Sequence, residues 1–262
     1  MHPLITSNQN PRIKLAVSLD KPKTRRELGL FLVEGLPELK LAIKAGYEVA
    51  GVFFKSPSNA EADVLSLVDD HLLTPVSEAV FAKLAYREGT SEVIALVKMR
   101  NHSISALILP KNPLVLILES VEKPGNLGAI LRTADAAGVD AVVVCDPQTD
   151  FYNPNVIRSS IGAVFTNQLA VSDSVSTINW LKQNQIPIYC THLHASRPYH
   201  EIDYRAGGAI VMGTESTGLS EVWPKNATSN IIIPMHGEVD SMNVSVSAAI
   251  VIFEALRQRN NL

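Results

Sequence analysis

LVLILESVEKPGNLGAILRTADAAGVDAVVVC, residues 114–145, decides how this chain folds. It reads as an apolar strand over Leu114–Ser120, a glycine-bearing loop running into a helix, and a second apolar strand over Ala141–Cys145. Strands that are apolar at successive positions, not at alternate ones, are covered on both faces. Three further runs of this kind, Pro187–Thr191, Ala209–Gly213 and Asn230–Pro234, predict a largely parallel sheet with helices on each side. From Asn243 to Gln258, Val246, Ala249, Ile250, Phe253 and Leu256 recur at helical spacing and predict a closing helix.

Upstream of this core, residues 36–98 alternate between helical runs (LPELKLAIKAG, AEADVLSLVDD, VSEAVFAKLAYRE) and strand-like ones (EVAGVFF, EVIALVKM), which predicts a smaller α/β unit. The pattern lapses at MRNHSISALILPKNP, where Pro110 and Pro113 bracket a break. The expected boundary lies near Ile104 and divides the chain into 1–103 and 104–262; a length of 262 residues suits two units. With 46% hydrophobic and 19% charged residues the composition is that of a globular protein, not a disordered one. No run approaches the roughly 18 apolar residues of a membrane span, and the start MHPLITSNQNPRIK lacks the apolar core of a secretory signal. The expected compartment is therefore the cytoplasm. Cys145 and Cys190 form no CxxC pair and read as buried small apolar residues.

A formal net charge of −3 argues weakly against a general nucleic-acid binder. Its distribution qualifies that. Between Pro11 and Arg26, six cations (Arg12, Lys14, Lys21, Lys23, Arg25 and Arg26) stand against Asp20 alone, a basic N-terminal arm that is either a solvated surface or a phosphate-contacting one.

Ligands of parallel α/β sheets bind at the carboxyl ends of strands, so the loops after the apolar runs are the candidate site. The first, with Gly125 and Gly128, lacks both GxGxxG and the P-loop ending, which disfavours a nicotinamide enzyme or an NTPase. A GxSxG nucleophile elbow is also missing. His192, His194 and His200 have neither HExxH spacing nor a cysteine partner, so no metal site is expected. What the loops do carry is an amide at Asn126, a guanidinium at Arg132, a carboxylate at Glu215 and the pair Ser241 and Asn243, at three separate strand ends. Each alone is explained by a helix cap, a surface ion pair or a helix-dipole contact.

Together these loops resemble the three motifs of the SpoU/TrmH family of RNA ribose methyltransferases, within the SPOUT superfamily. The matching segments are Asn126-Leu-Gly-Ala-Ile-Leu-Arg132, then Met212-Gly-Thr-Glu215-Ser-Thr-Gly218-Leu-Ser, then Ile233-Pro234 with Ser241-Met-Asn243-Val-Ser245. Arg158-Ser-Ser-Ile-Gly162-Ala-Val-Phe resembles a further family segment. Ile5-Thr-Ser-Asn-Gln-Asn10 and Phe31-Leu-Val-Glu34-Gly35 resemble the ribosomal-protein-like, RNA-binding accessory domain that many members carry. Ser216 departs from the glycine that many relatives have there.

The resemblance implies a catalytic domain tied in a trefoil knot, although the general rule against knots would otherwise suggest an ordinary doubly wound sheet. It implies S-adenosylmethionine as cofactor, held around Gly213, Thr214, Glu215, Gly218, Ile233, Ser241, Met242 and Asn243. Arg132 would activate or position a ribose hydroxyl, with Asn126, Glu215, Ser241 and Asn243 ordering the site. RNA would be the partner, ribosomal RNA favoured over transfer RNA, with Arg12, Lys14, Lys23, Arg25 and Arg26 contacting it. A homodimer is implied, and neither membrane nor metal. The alternatives are an RNA-binding module without turnover, a transfer-RNA ribose methyltransferase, or an unrelated α/β small-molecule enzyme.

Overall fold

The computed structural model describes residues 2–57, 61–86, 91–193, 196–214, 216–238 and 241–260. The chain divides into two compact units, one of residues 1–101 with 150–166 and the other of 102–149 with 167–262.

The basic N-terminal arm is helical: α1 (Pro11–Ser18) and α2 (Pro22–Leu28) each start on a proline, whose missing N–H costs nothing in the first turn. Asn10 caps α1 by accepting the Arg12 N–H, and α1 buries Ile13 and Ala16. After β1 (Leu30–Glu34) come α3 (Leu36–Lys44), β2 (Val49–Lys55), α4 (Glu61–Leu65), β3 (Leu73–Val76), α5 (Glu78–Leu84) and β4 (Val93–Lys98). The strands form one sheet in the order β1-β4-β2-β3, in which only the β2/β3 pair is parallel. Ile13 and Ala16 pack with Phe53, Val76, Val80, Phe81 and Ile94 in its core.

The second unit opens with β5 (Leu114–Glu119), α6 (Pro124–Ala137) and β6 (Ala141–Cys145). The chain then returns to the first unit for residues 150–166, which carry α7 (Pro154–Ser159). There Tyr152 lies 4.1 Å from Phe31 between ring centroids and Phe165 lies 5.2 Å from Tyr47. The Arg25 guanidinium, 1% exposed, donates to Asp150 at 2.6 Å. Back in the second unit follow β7 (Leu169–Ser172), α8 (Ser174–Gln183), β8 (Ile188–Thr191), β9 (Arg197–Pro198), β10 (Gly208–Met212), α9 (Val222–Asn226), β11 (Ser229–Ile232) and α10 (Val244–Arg259).

These strands make a parallel sheet in the order β7-β6-β5-β10-β8-β11-β9. Every residue of β5, β6 and β10 is buried, as expected of strands covered on both faces. Val115, Ile117, Val143 and Val211 share one face with Ile178 and Leu181 of α8 and Trp223 of α9. Successive side chains alternate, so Leu116, Leu118, Val142 and Ile210 serve the other face. Helix α10 packs against β10 and α6. No helix among the described residues is long and apolar enough to cross a membrane.

Two expectations change. Helix α10 buries Val244, Ala248, Val251, Ile252 and Ala255, whereas Val246 and Phe253 are 49% and 47% exposed. The helix is apolar almost all round, and spacing cannot choose among faces that are all apolar. Arg25 is not a surface cation of the arm. Its Nη1 donates to the carbonyls of Leu19 and Asp20 and its Nη2 to Asp150, which closes it to an RNA phosphate. Arg12, Lys14, Lys23 and Arg26 are exposed, with Lys23 3.7 Å from Glu27.

Candidate active site

The polypeptide leaving β10 turns back on itself at once. Thr214 and Gly218 exchange both backbone hydrogen bonds at 3.1 Å, and the Thr214 hydroxyl accepts the Thr217 N–H at 3.0 Å. Gly218 takes the left-handed backbone, with φ of 67°. At Gly213 the demand is steric: a Cβ would stand 2.3 Å from the Gly218 carbonyl carbon. The close approach that a glycine permits is therefore made here by the chain's own returning strand.

This loop, the end of β8 and the segment after β11 line one cavity of about 430 Å³. Of the expected cofactor residues, Gly213, Thr214, Gly218, Ile233, Ser241 and Met242 line it. Glu215 lies outside the described residues, as does His194. Leu219, Ile232 and Ile233 give apolar walls suited to a flat ring, while Ser216, Thr217, Ser241 and Ser247 bring hydroxyls. That mixture, and a volume within the roughly 300–1,000 Å³ of small-ligand sites, fit a nucleoside-sized cofactor.

Asn243 joins the third loop to the first. Its amide N–H₂ donates to Asn126 Oδ1 at 3.1 Å, and its Oδ1 accepts the Ser245 N–H at 2.9 Å as the N-cap of α10. Arg132 is not brought to this cluster. It is exposed on α6 and is not among the residues lining the cavity. Six residues along a helix is about one and two-thirds turns, so Arg132 and Asn126 occupy different faces.

Sequence reasoning missed the buried support beneath the loop. Glu119, 6% exposed at the end of β5, accepts the Ser220 N–H at 2.7 Å and the Ser220 hydroxyl at 2.6 Å. The Ser174 hydroxyl lies 2.9 Å from Glu119 and 2.6 Å from Asp146, and accepts Trp223 Nε1–H at 3.2 Å. A buried carboxylate satisfied in this way fixes the segment that follows Gly218. The available signal was a charge closing an otherwise apolar strand. His192, another lining residue, stood in a histidine-rich run that was set aside for want of metal-ligand spacing. Burial pushes the thiols of Cys145 and Cys190 up to about 12, as befits packed apolar residues.

A parallel sheet with a loop-lined cavity at its strand ends, tied by Asn126 and Asn243, is the architecture of an α/β enzyme domain that holds a small ligand there. Residues 113–253 match the model of the SpoU rRNA Methylase family, and residues 10–95 match that of the MRM3-like substrate binding domain. The chain belongs to the SpoU rRNA methylase family. It is 29% identical to the 23S rRNA (guanosine(2553)-2'-O)-methyltransferase RlmP of Bacillus subtilis, over 95% of this chain and 97% of that protein. A crystal structure of an RNA 2'-O ribose methyltransferase is 39% identical, with a TM-score of 0.86 over 98% of this chain and 100% of that one. The AdoMet-bound rRNA methyltransferase of Sinorhizobium meliloti is 28% identical, with a TM-score of 0.90 over 97% of each chain.

Proposed function

We propose that this protein methylates a ribose 2'-hydroxyl of structured RNA with S-adenosylmethionine as methyl donor, and that the RNA is ribosomal. The observation that carries the reading is the convergence of the second and third motif loops on one cavity, with Asn243 bonded to Asn126 of the first. The cofactor, when bound, supplies an electrophilic sulfonium methyl. Gly213, Thr214 and Gly218 from the second loop and Ile233, Ser241 and Met242 from the third would hold it, with Leu219, Ile232 and Ile233 as apolar walls for its adenosine. Glu215 is assigned to the cofactor by its place in the second motif alone. Asn126 and Asn243 fix the approach of the ribose. Arg132 orients the hydroxyl and a neighbouring phosphate by paired hydrogen bonds; a guanidinium, a cation with several N–H donors and no acceptor, is better suited to placing an oxygen than to removing its proton.

Since Arg132 lies apart from the cavity, a second copy of the chain supplies it, and the working form is a homodimer. Val246, Ile250 and Phe253, an apolar stripe along the outer face of α10, support this. In this reading the C-terminal segment is threaded as a trefoil knot, which holds the third loop against the second. Residues 1–103 capture the RNA, 104–262 transfer the methyl group, and both work in the cytoplasm. Arg12, Lys14, Lys23 and Arg26 contact phosphate.

Incubation with tritiated S-adenosylmethionine and RNA from cells lacking the gene should place label in ribose of ribosomal RNA. Label confined to transfer RNA would reassign the substrate. Binding without label would leave an RNA-binding module.

A further inference from the structure

The first unit contains a second cavity, of about 390 Å³, that the methyl-transfer reading does not use. Its floor is apolar, from Leu19, Leu32, Ile94 and Ile157. One wall carries Glu34, and the carboxylate is only half satisfied. Its Oε2 accepts the Tyr86 N–H at 2.8 Å, whereas its Oε1 is buried with no hydrogen-bond partner. Leaving a buried acceptor of this kind unmade costs about 1–3 kcal/mol, and more for a charged group. The Tyr86 ring, 46% exposed, belongs to the same lining. The Asn155 amide donates to its hydroxyl at 2.6 Å. Lys21, Lys83 and Arg158 are exposed in the lining as well.

We propose that this cavity docks one unpaired nucleobase of the substrate RNA, a base that carries an amino group; the proposal rests on the reading of the chain as an RNA-modifying enzyme. Apolar walls take the flat ring out of water, and an aromatic residue offers a face on which it stacks. A turn of the Glu34 side chain brings Oε1, which solvent does not reach, onto the amino N–H of cytosine, adenine or guanine. Uracil has no amino group, and its one donor on that edge, N3–H, stands between two carbonyl oxygens that the carboxylate would repel. The three cations suit the phosphates that flank a splayed-out nucleotide. Position and specificity thus come from different parts of the same cavity.

The pyrimidine pair CMP and UMP, alike in size and charge, isolates the base edge. The full-length protein, saturated with S-adenosylhomocysteine to fill the motif-lined cavity, is titrated with each by calorimetry. CMP should bind about tenfold more tightly than UMP, the smaller end of what one base-edge contact discriminates. Glu34→Gln keeps an oxygen for the Tyr86 N–H but presents N–H to the ligand, so it should abolish or invert the preference. Ala85→Trp, at another lining position, should weaken both nucleotides at least tenfold, with circular dichroism confirming that each variant folds. Equal affinity for CMP and UMP, no binding once S-adenosylhomocysteine is present, or a preference that survives Glu34→Gln would overturn the proposal. Ribose labelling by the unsubstituted protein is measured alongside. If label is incorporated without base discrimination, this subsite fails and the proposed reaction stands. If discrimination is seen without label, the proposed reaction fails and the cavity stands as a nucleobase site.

Discussion

Gly213 and Arg132 both sit in family motifs, yet they answer to different constraints. A Cβ at Gly213 would meet the backbone of Gly218 and Leu219 at 2.3–2.6 Å, and neither can move aside without opening the Thr214–Gly218 pair. Gly213→Ala should therefore lower stability by about 1–3 kcal/mol through overpacking and weaken S-adenosylmethionine binding at least tenfold, read by thermal melting and calorimetry. Arg132 is exposed, so its removal disturbs no packing. Arg132→Ala should abolish methylation while leaving both the melting temperature and cofactor affinity near normal; turnover within a few-fold of the parent would remove it from the mechanism. The motif residues were legible in the sequence because each is a chemically distinct group at a strand end. Glu119, Ser174 and Trp223 were not, since what matters about them is whom they touch across 49 to 101 residues of chain.

At the scale of elements, α10 shows where periodicity stops informing. Its apolar residues run nearly all the way round, so the sequence announces a helix but not which face is covered. The exposed stripe through Val246 and Phe253 is the face that the proposed dimer would cover. Phe253→Glu should shift the protein from dimer to monomer by sedimentation and reduce methylation with it. At the other end of the helix, Glu254 accepts from Arg257 and Gln258, and Gln258 in turn bonds Ile202 and Tyr204. The Arg257 hydrogen bond, more than any other interaction, holds the Glu254 carboxyl down at about 2, below its ordinary 4.5. A depressed folded value means the stabilisation is complete above the ordinary value and drains away as pH falls toward 2. Glu254→Gln should flatten that part of the acid-unfolding curve. Strands β7 and β9 escaped the sequence reading because they are short and lie outside the continuous apolar runs.

For the whole molecule, the arm that read as a basic ribbon is two packed helices with cations of two kinds. Arg25→Ala would remove a buried guanidinium and strand Asp150, destabilising the first unit by on the order of 3 kcal/mol in chemical denaturation. Lys14→Glu with Arg26→Glu should leave folding intact, weaken RNA binding, and lower the salt dependence by about one unit of log–log slope for each phosphate no longer neutralised. A salt slope equal to the parent's would make this surface merely solvated. The excursion of residues 150–166 has a further consequence during synthesis. When the first hundred residues have left the ribosome, Tyr152 and Phe165, which pack on Phe31 and Tyr47, and Asp150, which pairs with Arg25, have yet to be translated, so that nascent unit waits with an aromatic face partly uncovered. Grafting it between relatives therefore requires three cuts in the gene rather than one.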